Sequence, residues 1–316
     1  MQNNNLIGHN NFRYRVNAGW GNQDPDKYPV KDCHEMVMDK SGLLYLLTNE
    51  TRNNVLIYTK DGKVKNSWGT NYPGAHGLTL SNENSEEFLY ITDTERHQVI
   101  KTTLDGKELM ILDYPKEISQ YKSAGEYKPT ETAVSPNGDI YVTDGYGHQF
   151  VIQYDSMGNY IRHWGGKGNG DAQFDCVHGI AIDNRFDEPT LLITSRNHNA
   201  LKRFTMDGSY LTTIHLPGSF ICRPVVQGEN VYGAVFRSGD NQNMGSGYIT
   251  LIDKNDKVVS SPGATHPTYV NGQLQPQKQD CKTFFHPHDI CVDKDENLYV
   301  PQWNSGKTYP LMLERV

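Results

Sequence analysis

Four histidines stand at equivalent positions in an internal repeat, and they are the residues of this sequence best suited to metal chemistry. Each opens a short apolar segment, and the four are His34, His76, His178 and His288. Imidazole is the commonest metal ligand in proteins, and three converging rings with one open position suit catalytic zinc or another divalent transition metal. The repeat therefore predicts a metal site. The alternative is that duplication copied a hydrogen-bonded histidine into each repeat.

Two further side chains are predicted to reach the same face. Tyr146 follows Asp144-Gly145, where a turn would direct the phenol toward the histidines. Because an unperturbed phenol has a pKa of about 10, it acts as a base near neutrality only beside a metal or other cations. Arg196, from the next repeat, would supply such charge and hold a carboxylate through two parallel hydrogen bonds. A tyrosine at the rim and a surface arginine are the alternatives.

Acidic and aromatic residues complete the predicted face. Asp289 directly follows His288, and its carboxylate, together with strand carbonyls such as those of Met36 and Leu78, is suited to a hard cation such as Ca²⁺. A hydrogen bond from Asp289 to strand N–H groups is the alternative. Three other residues open a repeat or follow its second strand, and we predict that they bind substrate: Arg223, Glu131 and Trp303.

The elements that must position these residues are short strands in six similar copies. Each copy has alternating Val, Ile, Leu and Tyr segments separated by Gly, Asn or Asp-Gly turns, which is typical of strands. The prediction is an all-β, six-bladed β-propeller with NHL-like repeats, in a single domain over 1–316. A closing strand at 12–21 completes the last blade, and 260–285 forms a long loop. The blades lie near 34–69, 76–112, 130–165, 178–215, 223–262 and 286–316.

Composition excludes several classes of partner. The 316 residues carry a net charge of −7, which argues against nucleic-acid binding. No run of about 18 apolar residues occurs, so we expect no membrane span. The start, Met1-Gln2-Asn3-Asn4-Asn5, lacks a secretion signal. A secreted or periplasmic protein with its leader removed is favoured, with a cytoplasmic location as the alternative. We expect a monomer that acts on a small-molecule or peptide substrate.

Several of these patches together resemble the peptidylglycine alpha-amidating lyases, also called peptidylamidoglycolate lyases. The patches are His76-Gly77-Leu78, the run Ile140-Tyr141-Val142-Thr143-Asp144-Gly145-Tyr146, Val177-His178 with Arg196, and Pro287-His288-Asp289-Ile290. The resemblance implies a six-bladed propeller that splits a peptidyl-α-hydroxyglycine into a peptide amide and glyoxylate. It extends over most of the chain, blade by blade.

The resemblance also implies roles for individual residues. Catalytic zinc would be held by His76, His178 and His288. Structural calcium would be bound by Asp289 and by two backbone carbonyls near Met36 and Leu78. Tyr146 would be the catalytic base, and Arg196 would hold the substrate carboxylate.

The sequence departs from the family pattern at three places. His286 replaces a methionine two residues before the last zinc histidine, which would put a titratable group or a further ligand beside the metal. The second functional arginine has no match, although Arg52 lies close to the aligned Asn49. Gly147 replaces a family cysteine. Two alternative functions therefore stay open: a lyase or hydrolase acting on a carbohydrate or uronate at the same metal, and a non-enzymatic NHL-type binding scaffold.

Overall fold

The short apolar segments form strands throughout a computed structural model that describes residues 6–238 and 245–316. Part of the predicted fifth blade, 239–244, lies outside the described residues. Apart from two 3₁₀ turns, Ala124–Glu126 and Arg196–His198, the regular elements of the described chain are all strands. In the described ranges no helix has the length and apolar character needed to cross a membrane.

The strands form six large sheets, which are the blades, and one small hairpin. The first strands in chain order are β1 (Leu6–His9), β2 (Phe12–Asn17), β3 (Cys33–Met38), β4 (Leu44–Thr48), β5 (Val55–Tyr58), β6 (Val64–Trp68), β7 (Ala75–Glu83), β8 (Glu86–Asp93), β9 (Gln98–Thr103), β10 (Glu108–Leu112), β11 (Glu131–Val134), β12 (Ile140–Thr143), β13 (Phe150–Tyr154) and β14 (Tyr160–Gly165). The others are β15 (Val177–Asp183), β16 (Thr190–Ser195), β17 (Ala200–Phe204), β18 (Tyr210–His215), β19 (Ser219–Gln227), β20 (Asn230–Ser238), β21 (Tyr248–Ile252), β22 (Val258–Ser260), β23 (Tyr269–Val270), β24 (Gln273–Leu274), β25 (Cys291–Val292), β26 (Leu298–Val300) and β27 (Leu311–Arg315).

The predicted fold class is confirmed. The first five blades are consecutive antiparallel sheets, β3–β6, β7–β10, β11–β14, β15–β18 and β19–β22. The sixth combines both chain ends, because β2 pairs antiparallel with β27 and places Val16 opposite Leu313. One strand of this blade was not predicted: β1 adds to the outer edge of β2, so the sixth sheet has five strands in the described chain.

Hydrophobic contacts between neighbouring blades close the ring. Each pair of adjacent blades shares one cluster of buried apolar side chains. Tyr299 of the last blade, for example, packs with Met36 and Leu46 of the first. Burying one such side chain contributes roughly 1.5–3 kcal/mol, so the six interfaces together fix the inner strands around a common axis.

Two tryptophans near strand ends, Trp20 and Trp68, tie their blades to the next one. The Trp20 indole Nε1 donates to the carbonyl of Lys60 at 2.9 Å, and Trp68 Nε1 donates to Leu104 at 3.1 Å. Both acceptors lie beside an Asp-Gly turn of the following blade. The dipeptides Trp20-Gly21 and Trp68-Gly69 therefore make contacts between blades.

The long segment at 260–285 contains a short hairpin, β23–β24. Its Tyr269, Gln273 and Leu274 border a cavity of about 920 Å³ shared with the outer strand of the fourth blade, β18. The hairpin therefore extends along the side of the ring near the fourth and fifth blades.

Candidate active site

The inner strands carry irregular pairing where the histidines lie. The register between β7 and β8 shifts between Ala75 and Leu78, and that between β15 and β16 shifts between Val177 and Ile180. Such bulges redirect side chains and occur often beside active sites. Glycine follows His76 and His178, and in both places it allows close approach of the next inner strand. A Cβ on Gly77 would lie 2.6 Å from Thr130 O, and one on Gly179 would lie 2.4 Å from Cys222 O.

Three histidines are oriented by backbone carbonyls of the neighbouring blade. His76 Nδ1 lies 2.9 Å from Thr130 O, His178 Nδ1 lies 3.1 Å from Cys222 O, and His288 Nδ1 lies 3.2 Å from His34 O. Because a carbonyl only accepts, each Nδ1 carries the proton and each Nε2 keeps a lone pair. Burial holds the pKa of all three imidazoles well below its ordinary value, so they are neutral.

These rings meet on the axis. The ring centroids of His76, His178 and His288 are 4.8–5.0 Å apart, and His34 lies 4.9 Å from both His76 and His288. Among the described residues, two sets place three ligand atoms within 4.8 Å of one another: His34, His76 and His288, and His178, Cys222 and His288. A donor set dominated by neutral imidazole suits zinc and similar divalent transition metals.

The hydroxyl of Tyr146 provides a further test of whether a cation fits. It lies 3.1 Å from Nε2 of His76 and 3.0 Å from Nε2 of His178. The phenol has one proton, while both nitrogens present lone pairs, so one lone pair faces the oxygen without a proton between them. A divalent cation bound by the imidazoles would satisfy both nitrogens. The residues therefore fit a metal ion.

Arg196 joins Tyr146 at the open side of the histidines. Its guanidinium Nη2 lies 3.4 Å from the Tyr146 hydroxyl, and its Nε is buried without a hydrogen-bond partner in the described chain. Tyr146 itself remains 42% exposed. Burial raises the pKa of Tyr146 to about 12, and the neighbouring Arg196 opposes that rise. In this arrangement the phenol is protonated at neutral pH unless additional positive charge is bound.

An aromatic cluster, defined here as Phe236, His286 and Trp303, borders the arginine. The guanidinium of Arg196 lies 4.7 Å from the Phe236 ring, and that of Arg237 lies 4.9 Å from the same ring. Trp303 lies 6.3 Å from Phe236 and 5.7 Å from His286. The mouth of the site is therefore cationic and aromatic, although the whole chain is acidic.

Beyond the histidines, Arg223 occupies the channel where the calcium ligands were predicted. Its guanidinium donates to both oxygens of Asp289, at 3.0 and 2.9 Å, and to the carbonyl of Leu78 at 2.9 Å. Met36 contributes its N–H, which donates to Asp289 at 3.0 Å. Because these oxygens already bind the positively charged guanidinium of Arg223, the residues do not fit a calcium ion.

Comparison with known proteins agrees with this architecture. A family model described as a 6-bladed beta-propeller matches residues 131–288, which is half of the chain. The chain belongs to this propeller family. By fold, the propeller is also similar to a gluconolactonase from Xanthomonas campestris. The TM-score is 0.63 at 15% identity, covering 95% of this chain and 89% of that one.

Relatives in sequence confirm the resemblance inferred from the motifs. The propeller is 29% identical to peptidyl-alpha-hydroxyglycine alpha-amidating lyase 1 of Drosophila melanogaster, over 92% of this chain and 52% of that protein. It is 24% identical to human NHL repeat-containing protein 3, over 64% of this chain and 67% of that protein. The chain thus spans about half the length of the fly relative. Lyase and NHL-type propellers are both among its relatives.

The structure brings together most of the residues predicted to do chemistry. The residues that converge at one end of the axis are His34, His76, His178, His288, Tyr146 and Arg196. Trp303 lies nearby in the aromatic cluster. They come from five blades, as the repeat predicted.

Other predicted positions need correction. Arg52 pairs with Glu50 at 3.1 Å and its side chain is 63% exposed, so its role as the second arginine stays a prediction. His286 is not part of either metal-capable set. Its Nε2 accepts from the Gly245 N–H at 2.7 Å, within the aromatic cluster. Arg223 and Glu131 were predicted to bind substrate, but both are buried and bond to each other at 3.3 Å in the channel.

Two residues near the site were missed because the fifth repeat is degenerate. Cys222, not Arg223, is level with the histidines, and burial raises the pKa of its thiol to about 12. Arg237 lies near the end of β20, the second strand of the fifth blade. Arg196 has the corresponding place in the fourth blade, directly after β16. Both residues lie on strands that the alternating apolar pattern predicts, but no histidine marks the start of this repeat. All five cysteines are free thiols in the described structure.

Proposed function

We propose that this propeller is a metal-dependent lyase that cleaves an α-hydroxyglycine or similar hemiaminal-type substrate carrying a carboxylate. The observation that carries the proposal is the position of the Tyr146 hydroxyl, 3.0–3.1 Å from two neutral imidazoles and 3.4 Å from Arg196. A phenol, a metal-capable donor set and a guanidinium suited to a carboxylate thus share one pocket, which supports the proposal. The lyase names of relatives such as the fly protein support the same reaction class.

The reaction divides into steps that these residues can perform. A metal ion held by His76, His178 and His288 would supply positive charge that polarises the substrate hydroxyl and lowers the pKa of groups beside it. Tyr146, as phenolate, takes the hydroxyl proton. The C–O bond then becomes a carbonyl, the C–N bond breaks, and the departing amide nitrogen receives the proton from Tyr146. The products are a peptide amide and glyoxylate.

Arg196 is positioned to orient the substrate in this scheme. Its stacking on Phe236 fixes the guanidinium plane, and its buried Nε offers an unused donor to a carboxylate.

Incubating the zinc-reconstituted protein with a peptide that ends in α-hydroxyglycine tests the proposed function, with the amide product followed by mass spectrometry. A metal-loaded protein that leaves the peptide intact would argue for a binding scaffold.

Replacing Arg196 by methionine is expected to weaken substrate binding. A charge-assisted hydrogen bond contributes about 1.5–3 kcal/mol, so kcat/KM should fall about 10- to 100-fold, mainly through KM. Steady-state kinetics on a free-acid substrate and on its carboxamide separate the effect. The loss should disappear with the carboxamide. Arg162→Met, on an outer strand, is the matched control and should leave both constants unchanged.

His34 is proposed as a fourth ligand that the family pattern lacks. Its ring lies as close to His76 and His288 as those rings lie to each other, and its Nδ1 is buried without a hydrogen-bond partner in the described chain. We expect His34→Phe to bind metal at least about 100-fold more weakly, with one equivalent still bound at saturation. The visible spectrum of the Co²⁺-substituted protein should change in band position and intensity. An unchanged spectrum would exclude His34 from coordination.

A further inference from the structure

A buried cluster on the axis, next to the histidines, joins five blades through one guanidinium. Glu35, Glu131, Arg223 and Asp289 come from the first, third, fifth and sixth blades, and the carbonyl of Leu78 comes from the second. The four charged residues are at most 8% exposed. Glu35, Arg223 and Asp289 directly follow His34, Cys222 and His288, which belong to the two metal-capable sets. The cluster therefore lies along the axis directly beneath those sets.

Each of the three guanidinium nitrogens lies within hydrogen-bond distance of at least one oxygen atom. Nε and Nη2 donate to the two oxygens of Asp289, and Nη1 donates to Glu35 at 2.9 Å, to Leu78 O at 2.9 Å and to Glu131 at 3.3 Å. Three carboxylates and a carbonyl around one point are the ligand types that Ca²⁺ takes, in sets of six to eight oxygens. Here the same oxygens bind a planar cation with five N–H donors.

We propose that Arg223 is a built-in replacement for a structural calcium ion, so that the propeller axis is closed without metal and removing the guanidinium uncovers a calcium site. The proposal follows from the disagreement between the calcium site that the resemblance implies and the residues that fill it. It requires no substrate and does not depend on the proposed lyase activity.

The charges explain why one of these cations must be present. Without Arg223, three buried carboxylates face one another, and removing one partner of a buried ion pair is strongly destabilising because the remaining charge is uncompensated. A divalent cation in the vacated space would compensate the carboxylates as the guanidinium does.

Calcium titration of wild-type protein and of Arg223→Ala tests the proposal. Wild-type protein should show no calcium binding in the axial cluster, and its Tm should be the same in calcium and in EGTA. Arg223→Ala should have a lower Tm in EGTA, and saturating calcium should raise that Tm by about 5 °C or more, with one ion bound per chain. Adding Asp289→Asn to the variant should remove the calcium response.

Arg203→Ala is the matched control. Arg203 is also buried between two carboxylates, Asp183 and Asp256, but Arg185 contacts both of these and would remain. This variant should lose stability without gaining a calcium response. A soluble Arg223→Ala protein whose Tm responds to calcium no more than that of Arg203→Ala would overturn the proposal.

The wild-type measurement keeps the test decisive if Arg223→Ala does not fold. Crystals of wild-type protein soaked in calcium should show no anomalous signal among Glu35, Glu131 and Asp289. A calcium ion located there, with Arg223 displaced, would overturn the proposal. Arg223→Lys, which keeps a positive charge, is expected to fold and to show no calcium-dependent shift in Tm.

Discussion

Replacing His178 with alanine is expected to release the proposed metal and abolish turnover. His178 is 1% exposed, its ring is oriented through Nδ1 by the carbonyl of Cys222, and its Nε2 faces the axis. Loss of residues that merely orient a metal ligand reduces affinity about 10- to 100-fold, so loss of the ligand itself should cost at least about 100-fold. Inductively coupled plasma mass spectrometry after dialysis measures the metal, and product formation measures turnover.

A histidine away from the axis provides the control for this variant. His163, on the outer strand β14, bonds to Tyr160 at 2.7 Å. His163→Ala should retain wild-type metal content and activity, and circular dichroism should show both variants folded. A folded His178→Ala protein with undiminished metal would show that the converging imidazoles are not the metal ligands.

Replacing Tyr146 with phenylalanine is expected to abolish most of the turnover while the metal stays bound. The change removes one oxygen and keeps the ring that packs against His76 and His178. Because a positioned acid–base group contributes typically 10²–10⁴-fold, kcat should fall by about 10³-fold with little change in KM. Single-turnover kinetics with a saturating α-hydroxyglycine peptide measure the effect on the chemical step.

The same change can be made at a tyrosine with a similar hydrogen bond. Tyr160→Phe also removes a hydroxyl that bonds to a histidine nitrogen, but on an outer strand, and it should leave kcat unchanged. Metal content should be equal in Tyr146→Phe, Tyr160→Phe and wild-type protein. A Tyr146→Phe protein with wild-type kcat would remove the phenol from the mechanism and leave another group as the base.

Repetition made the fold and the centre of the site predictable. Alternating strands and Asp-Gly turns predicted six blades, and a closing strand at 12–21 was predicted to complete the last of them. The position of a histidine at the start of an inner strand was enough to predict convergence of His76, His178 and His288, because a ring brings equivalent positions together. Tyr146 and Arg196 were placed by the same geometry from the ends of second strands.

The remaining features depend on contacts between blades that carry no local pattern. Nothing near Arg223 in the chain indicates Glu35 or Asp289, which are 188 and 66 residues away. A bulge on β19 places Cys222 level with the histidines and shifts Arg223 to the next level. His286 has a positive φ of 55°, and this turn places its ring in the aromatic cluster outside the metal-capable sets. At such bulges and turns the direction of a side chain depends on the local backbone, which the sequence pattern does not reveal.

The whole chain has a net charge of −7, but the charge around the proposed site is positive. The proposed substrate pocket has the guanidinium groups of Arg196 and Arg237 within 4.9 Å of the Phe236 ring, and its histidines are neutral. A metal ion bound there would add further positive charge beside Tyr146. An anionic substrate is therefore compatible with an acidic protein, because the potential that it meets is set by the groups at the mouth of the channel.

Release of glyoxylate on adding zinc to metal-free protein tests the central claim most directly. Protein stripped with a chelator would be mixed with a peptide ending in α-hydroxyglycine, and glyoxylate would be measured as one equivalent of zinc is added. We predict no enzymatic release before zinc, release that rises to saturation at one ion per chain, and an equal amount of peptide amide. A protein that binds zinc through His178 and still releases no glyoxylate would contradict the proposed lyase reaction.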